Sequence, residues 1–326
     1  YHNHKIMMFI CATAFSVTAC SNSNSFSDPI DFETPSEAPN PIPTLGTAKT
    51  FTTTADGTYS LAEGEAKLFD GVSMAPTTIE IDKNKKFQTI DGFGYAITYS
   101  SCYNLMKMNP EARLALLKRI YSTTEGYGVS YARISLGCND FSSTEYTYCD
   151  KKGNENDPIS NFELYSDENN YVIPILKEIL SINPSLKIIA APWTCPKWMK
   201  VEDINTKTPK DSWTDGHLNP DYRETYAKYF VKFINVMKEK GINIYAVSPQ
   251  NEPLNKANCA SLYMPWQEEA PFVKTLATEF KKNGLSTKIY VFDHNYNYDK
   301  IADQEDYPVK LYNCLLYTSD AADDLL

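Results

Sequence analysis

Histidine is scarce in this 326-residue chain, and two of its four copies lie among the first four residues. A histidine-rich metal centre, of the kind a metal-dependent hydrolase would build on a barrel, therefore has no ligands to draw on, and no cofactor is implied. Clustered Lys and Arg are missing too. With a net charge of -10 and a pI near 5.0, the chain offers no phosphate-binding surface, which excludes nucleic acid as a partner. No phosphate-cradling glycine loop follows a strand signal, since Asp91-Gly92-Phe93-Gly94 lacks the GxGxxG spacing. The apolar stretch from Ile6 to Ala14 is too short to span a bilayer. Cys102, Cys138, Cys149, Cys195 and Cys259 form an odd set without metal-type spacing, which argues against zinc; Cys138 and Cys149, flanking a loop, are the first pair to test for a bridge.

What is present is apolar and aromatic. At 42% hydrophobic residues the chain can bury a core of barrel size, and its 23 Tyr and four Trp favour neutral, ring-shaped ligands. Lys5, the apolar stretch and Val17-Thr18-Ala19-Cys20 have the form of an export signal closed by a bacterial lipobox. Residues 1–20 read as a lipoprotein signal with Cys20 as the lipid-modified residue, which predicts an exported protein held at the cell envelope, on the outer membrane or cell surface, by a lipid anchor. An ordinary signal with a coincidental Cys is the alternative. Residues 21–45, rich in Ser, Asn and Pro, read as a disordered tether. At the other end, Cys314 to Asp323 resembles a translated sequencing-adapter end, so residues 314–326 are expected to be non-native.

From residue 46 to 88, alternating runs such as Thr78-Ile79-Glu80-Ile81-Asp82 predict half-buried antiparallel strands. From 89 to 313, strand and helix signals alternate. Strands are predicted at Thr89–Gly94, Tyr131–Leu136, Leu186–Ala191, Ile244–Val247 and Ile289–Phe292. Between them, Asn109 and Pro110 open one helix and Val172–Ile182 forms another. The stripe of Tyr226, Phe230, Phe233 and Met237 marks Tyr222–Lys240 as a third, and Pro271–Lys282 is a fourth, stopped by Gly284. Repeated βα units predict an α/β fold with a parallel sheet, and their number and spacing favour a (β/α)8 barrel over a doubly wound sheet.

Polar residues collect where these strands end. Asn251-Glu252-Pro253-Leu254 follows the apolar run Ile242–Val247, which places a carboxylic acid beside an amide at the mouth of a barrel. That pairing suits glycoside chemistry: the Glu can protonate a leaving oxygen while the amide holds a sugar hydroxyl. A capped strand-to-helix turn is the bland alternative. Asp140 suits sugar hydroxyls or a helix N-cap, and Trp193 and Trp198 suit stacking platforms or packing. Arg133, inside a buried strand, must face a carboxylate, in a site or in a purely structural pair. His294 sits beside Asp293 at a strand end and could hold a hydroxyl or orient an acid.

Four blocks occur in order: Asp91–Gly94, Arg133–Ser142, Ala191–Lys200 and Val247–Pro253. Together they resemble glycoside hydrolase family 30, the glucosylceramidase and β-1,6-glucanase group, over about Thr77 to Asn313. The Tyr99–Leu105 segment leans towards the bacterial β-1,6-glucanase branch. The resemblance implies a retaining mechanism with Glu252 as acid/base, Asn251 on the sugar 2-hydroxyl, Asp140 and Trp193 in the sugar pocket, and Arg133 beside the nucleophile. It also implies an accessory β-sandwich made by N-terminal and C-terminal strands. The family nucleophile is a Glu at the end of strand seven; with units of roughly 30 residues it is expected about 90 residues beyond Glu252, outside this chain. Glu268 and Glu269 follow Glu252 too soon to serve. The barrel is thus expected to be incomplete, and the chain by itself inactive.

These features favour a retaining β-glycoside hydrolase on β-glucosides, with endo-β-1,6-glucanase foremost and glucosylceramidase as the alternative. A non-catalytic carbohydrate-binding protein is the rival from another class.

Overall fold

The computed structural model describes residues 43–71, 77, 79–295 and 300–316; the expected signal and most of the expected tether lie outside these. Two compact units divide at Thr89 and Ile90. In the first, β1 (Thr44–Thr52) and β2 (Ala62–Phe69) form an antiparallel hairpin with Ala48 opposite Ala66, so β1 begins inside the segment expected to be tether. Of the strand expected at Thr78–Asp82, residues 79–82 are described and form no strand. Ile79 and Ile81 are 79% and 77% exposed, because alternation makes a strand only where a partner edge accepts it. Among the described residues the segment expected to contribute to an accessory sandwich forms this two-stranded hairpin and no further strand.

The second unit is built on a parallel sheet. Its elements are β3 (Gly94–Ala96), α1 (Tyr99–Lys107), α2 (Pro110–Tyr121), β4 (Tyr131–Ser135), α3 (Ile173–Ile182), β5 (Lys187–Ala191), β6 (Lys200–Val201), β7 (His217–Leu218), α4 (Arg223–Glu239), β8 (Ile244–Val247), α5 (Trp266–Lys282), β9 (Lys288–Ile289) and α6 (Tyr307–Leu316). The five parallel strands lie in chain order, β3-β4-β5-β8-β9, while β6 and β7 pair separately. A doubly wound sheet would reverse its order part-way; an unreversed order is the winding of a barrel.

One face of this sheet is dry and the other is not. Ala132, Ile134, Ile188, Ala190, Ile244 and Ala246 are at most 5% exposed and share a core with Leu176, Ile179, Phe230, Phe233 and Phe272 of the helices. Tyr131, Arg133, Lys187 and Tyr245 alternate with them on the other face, the one a barrel wall turns inward, and are half-buried.

Helix starts follow their signals where a cap is present. Asn109 Oδ1 accepts the N–H groups of Glu111 and Ala112, and Pro110 takes the first position of α2. Gly241 (φ 82°) and Gly284 (φ 63°) follow α4 and α5 in the left-handed region that favours glycine. Two expectations need correction. Strand one forms at Gly94–Ala96 instead of Thr89–Gly94, where a Cβ at Gly94 would collide with the Tyr131 carbonyl. Helix α5 starts at Trp266, because Pro265 stands at its N-cap position and Pro271 is carried inside. Helix α6 runs through Cys314 with Leu315 buried, so it continues into the segment expected to be non-native. The six described cysteines are free; Cys149 Sγ donates to the Lys151 carbonyl at 3.4 Å and makes no bridge to Cys138.

Candidate active site

A parallel sheet brings the C-terminal ends of all its strands to one edge, and the expected polar residues lie there. Arg133, on β4, is their hub. Its Nη2 donates to Asp293 Oδ2 at 2.6 Å and to Asn251 Oδ1 at 2.8 Å, and its guanidinium lies 4.8 Å from the centroid of the Trp193 ring. The carboxylate Arg133 was expected to need is Asp293. Because Asn251 Oδ1 accepts from Arg133, its amide NH2 is fixed as a donor.

The backbone locks the same residues together. Asn251 and Asp293 form an isolated parallel bridge beyond the ends of β8 and β9. The Glu252 N–H donates to the Asp293 carbonyl at 2.9 Å, and the Asn251 N–H donates to the Pro192 carbonyl at 2.8 Å. Gln250, fully buried, donates from Nε2 to the Trp193 carbonyl at 2.8 Å and the Asn251 carbonyl at 2.9 Å.

Glu252 has φ 45°, a left-handed conformation that costs a side-chain-bearing residue roughly 1–2 kcal/mol. Its carboxylate is held by two side-chain amides from the following loop. Asn255 Nδ2 donates to Oε2 at 2.6 Å and Asn258 Nδ2 at 3.1 Å. The two amides hold the carboxylate in one orientation.

His294 is half-buried next to Asp293, and its Nδ1 accepts the Asn295 N–H at 2.7 Å. Burial pushes its pKa below the ordinary imidazole value, while the Glu252 and Asp293 carboxylates pull it back up. Trp193 is buried at 7% exposure, with its ring against Arg133. Trp198 serves packing: its Nε1 donates to the Cys149 carbonyl at 2.8 Å and its ring meets Tyr222 edge-on at 5.2 Å. Asp140 lies exposed on the loop after β4, and no helix starts there; Asn139 Oδ1 accepts the Phe141 N–H at 2.7 Å and shapes that turn.

Glu268 and Glu269, in the first turn of α5, are engaged elsewhere. Glu268 meets His217 Nδ1 at 2.7 Å. Glu269, fully buried, accepts the Tyr307 hydroxyl at 2.5 Å and the Phe292 N–H at 3.4 Å, and burial raises its pKa to about 7. It therefore grips the residue just before Asp293.

The match to a family model decides what this arrangement belongs to. The model of the glycosyl hydrolase family 30 TIM-barrel domain matches residues 90–297. The chain belongs to this family. Among curated relatives it is 32% identical over 285 residues to endo-1,6-beta-D-glucanase BGN16.3 of Trichoderma harzianum, covering 84% of the chain and 56% of that protein. It is 29% identical over 245 residues to the lysosomal acid glucosylceramidase of Mus musculus, covering 73% of the chain and 44% of that protein. Among solved structures, the endo-beta1,6-glucanase BT3312 is 54% identical with a TM-score of 0.74, covering 87% of the chain and 59% of that one. The chain thus spans about half the length of these relatives. The family's (β/α) architecture agrees with the chain-ordered parallel sheet.

Gln250, Asn255 and Asn258 were not singled out from the sequence, and Glu269 was weighed there only as a nucleophile. Gln250 was visible only as a letter within the Val247–Pro253 block, and the two Asn residues only as amides following a candidate acid.

Proposed function

We propose that this chain carries the acid/base side of a retaining β-glycoside hydrolase acting on β-1,6-glucan. Glu252 is the acid/base: it protonates the leaving glycosidic oxygen, then deprotonates the water that releases the sugar. Asn251 donates to the 2-hydroxyl; Trp193, Asp140, Asp293 and His294 line the sugar site. The observation that carries this reading is the Glu252 carboxylate, clamped by Asn255 and Asn258 at the strand edge where Arg133 ties Asn251 to Asp293. The 54% identity to an endo-beta1,6-glucanase favours that substrate over glucosylceramide.

Retention needs a second carboxylate about 5–5.5 Å from the first. Asp293 is committed to Arg133, so the nucleophile is assigned to a Glu outside the described residues, with Arg133 beside it. Replacing Glu252 with Gln in the full-length gene product should stop glucan hydrolysis, and product release from β-1,6-glucan is the assay.

Export and a lipid anchor at Cys20 belong to the same proposal, supported by Val17-Thr18-Ala19-Cys20 and the polar stretch after it.

A further inference from the structure

Lys200 is the one lysine among the described residues whose whole side chain is buried, at 1% exposure. Its Nζ makes three hydrogen bonds: to Ser261 O at 2.8 Å, to Ser212 O at 3.0 Å and to Thr194 Oγ1 at 3.2 Å. All three acceptors are neutral. Taking an ammonium out of water is costly, and without a carboxylate partner the hydrogen bonds offset only part of it. A Met would fill the same space without that cost. The cation is therefore placed for what its three donors hold.

They hold three loops. Thr194 follows Trp193 in the loop leaving β5, Ser212 lies between β6 and β7, and Ser261 closes the loop that begins at Glu252 after β8. Ser261 is fixed further: its N–H donates to the Trp213 carbonyl at 2.9 Å, and its Oγ accepts the Asp215 N–H at 2.9 Å. Between Glu252 and Ser261 stand Asn255 and Asn258, the two amides on the Glu252 carboxylate.

We propose that Lys200 is a positioning residue for the candidate acid/base, a three-donor staple that sets the 252–261 loop so that Asn255 and Asn258 meet Glu252. The proposal rests on the assignment of Glu252 made above. Opening the loop would free the Lys200 ammonium to water. Burial lowers the Lys200 pKa from 10.5 to about 8; Lys210 pushes the same way, while Cys195, Asp215 and Cys259 push it up. The closed loop thus holds the proton less tightly than the open one, so between pH 8 and 10.5 rising pH favours the closed, stapled state. A loop whose closure is linked to pH through Lys200, and loses that linkage when Lys200 is replaced, is the signature.

The test is backbone hydrogen exchange of the full chain from pH 7 to 9, corrected for intrinsic exchange, in parent and Lys200→Met. In the parent, protection of the 252–261 amides should rise roughly five- to tenfold between pH 7 and 9, because closure of the loop releases a proton from Lys200. In Lys200→Met it should be lower and independent of pH, while α4 and β8 stay protected. A parent profile that is flat or falls in this loop, or a pH dependence that survives in Lys200→Met, overturns the proposal. If Lys200→Met fails to fold, the parent profile alone decides. Exchange does not use turnover. Should Glu252→Gln later prove fully active on glucan while the pH-dependent exchange stands, the functional reading falls and the staple does not.

Discussion

The Glu252 amide donates to the Asp293 carbonyl at 2.9 Å while the Asp293 carboxylate takes the Arg133 guanidinium at 2.6 Å. One residue therefore anchors both the backbone of the candidate acid and the cation that holds its neighbour Asn251. Disturbing Asp293 reaches Glu252 through a backbone hydrogen bond and Asn251 through Arg133.

Arg133→Met and Asp293→Asn should accordingly be non-additive. Both side chains are partly exposed, 26% and 29%, so solvent screening limits the pair, and a coupling of about 1 kcal/mol is expected from a double-mutant cycle in denaturant. Additive losses would mean that the ion pair is incidental.

Asn255→Ala and Asn258→Ala each remove one donor from the Glu252 carboxylate. In the full-length gene product, kcat on β-1,6-glucan should fall roughly tenfold for Asn255→Ala, whose bond is the shorter, and less for Asn258→Ala, with thermal stability nearly unchanged. Equal and negligible effects would remove the clamp from the mechanism.

These two residues also show where reading the sequence stops. Arg133, Asn251, Glu252 and Asp293 were legible because each lies on or just beyond an apolar strand whose direction fixes its edge. Asn255, Asn258 and Lys200 act through loops with no period to read; Lys200 meets Ser261 across 61 positions. Helix α1 was missed for a related reason. Its Tyr- and Ser-rich sequence has weak propensity, and it starts because the Thr98 side chain accepts the Ser101 N–H at 3.3 Å. At Thr78–Asp82 the period was present, yet among the described residues 79–82 pair with no strand.

Stability should depend on pH through two buried carboxyls. Burial raises both Glu269 and Glu168 from 4.5 to about 7. Their folded pKa values exceed the unfolded ones, so the stability they contribute is complete below about pH 4.5 and is lost as pH rises through about 7. The denaturation midpoint of the parent should thus decline between about pH 4.5 and 7 on their account, and Glu269→Gln should flatten that slope. An unchanged slope would show that Glu269 titrates normally.

Cys20→Ser should move the protein from the membrane fraction to the soluble fraction of the producing cell, since stable anchoring takes two or more acyl chains. Unchanged fractionation would count against lipid attachment.

The central claim is that Glu252 is the acid/base, and azide rescue of Glu252→Gln in the full-length gene product tests it most directly. The account predicts that this variant loses hydrolysis of β-1,6-glucan and that azide restores turnover of an activated aryl β-glucoside, giving a β-glucosyl azide, because azide attacks the glycosyl-enzyme without needing a base. Normal glucan hydrolysis by Glu252→Gln, or an α-glucosyl azide as the rescued product, would contradict it.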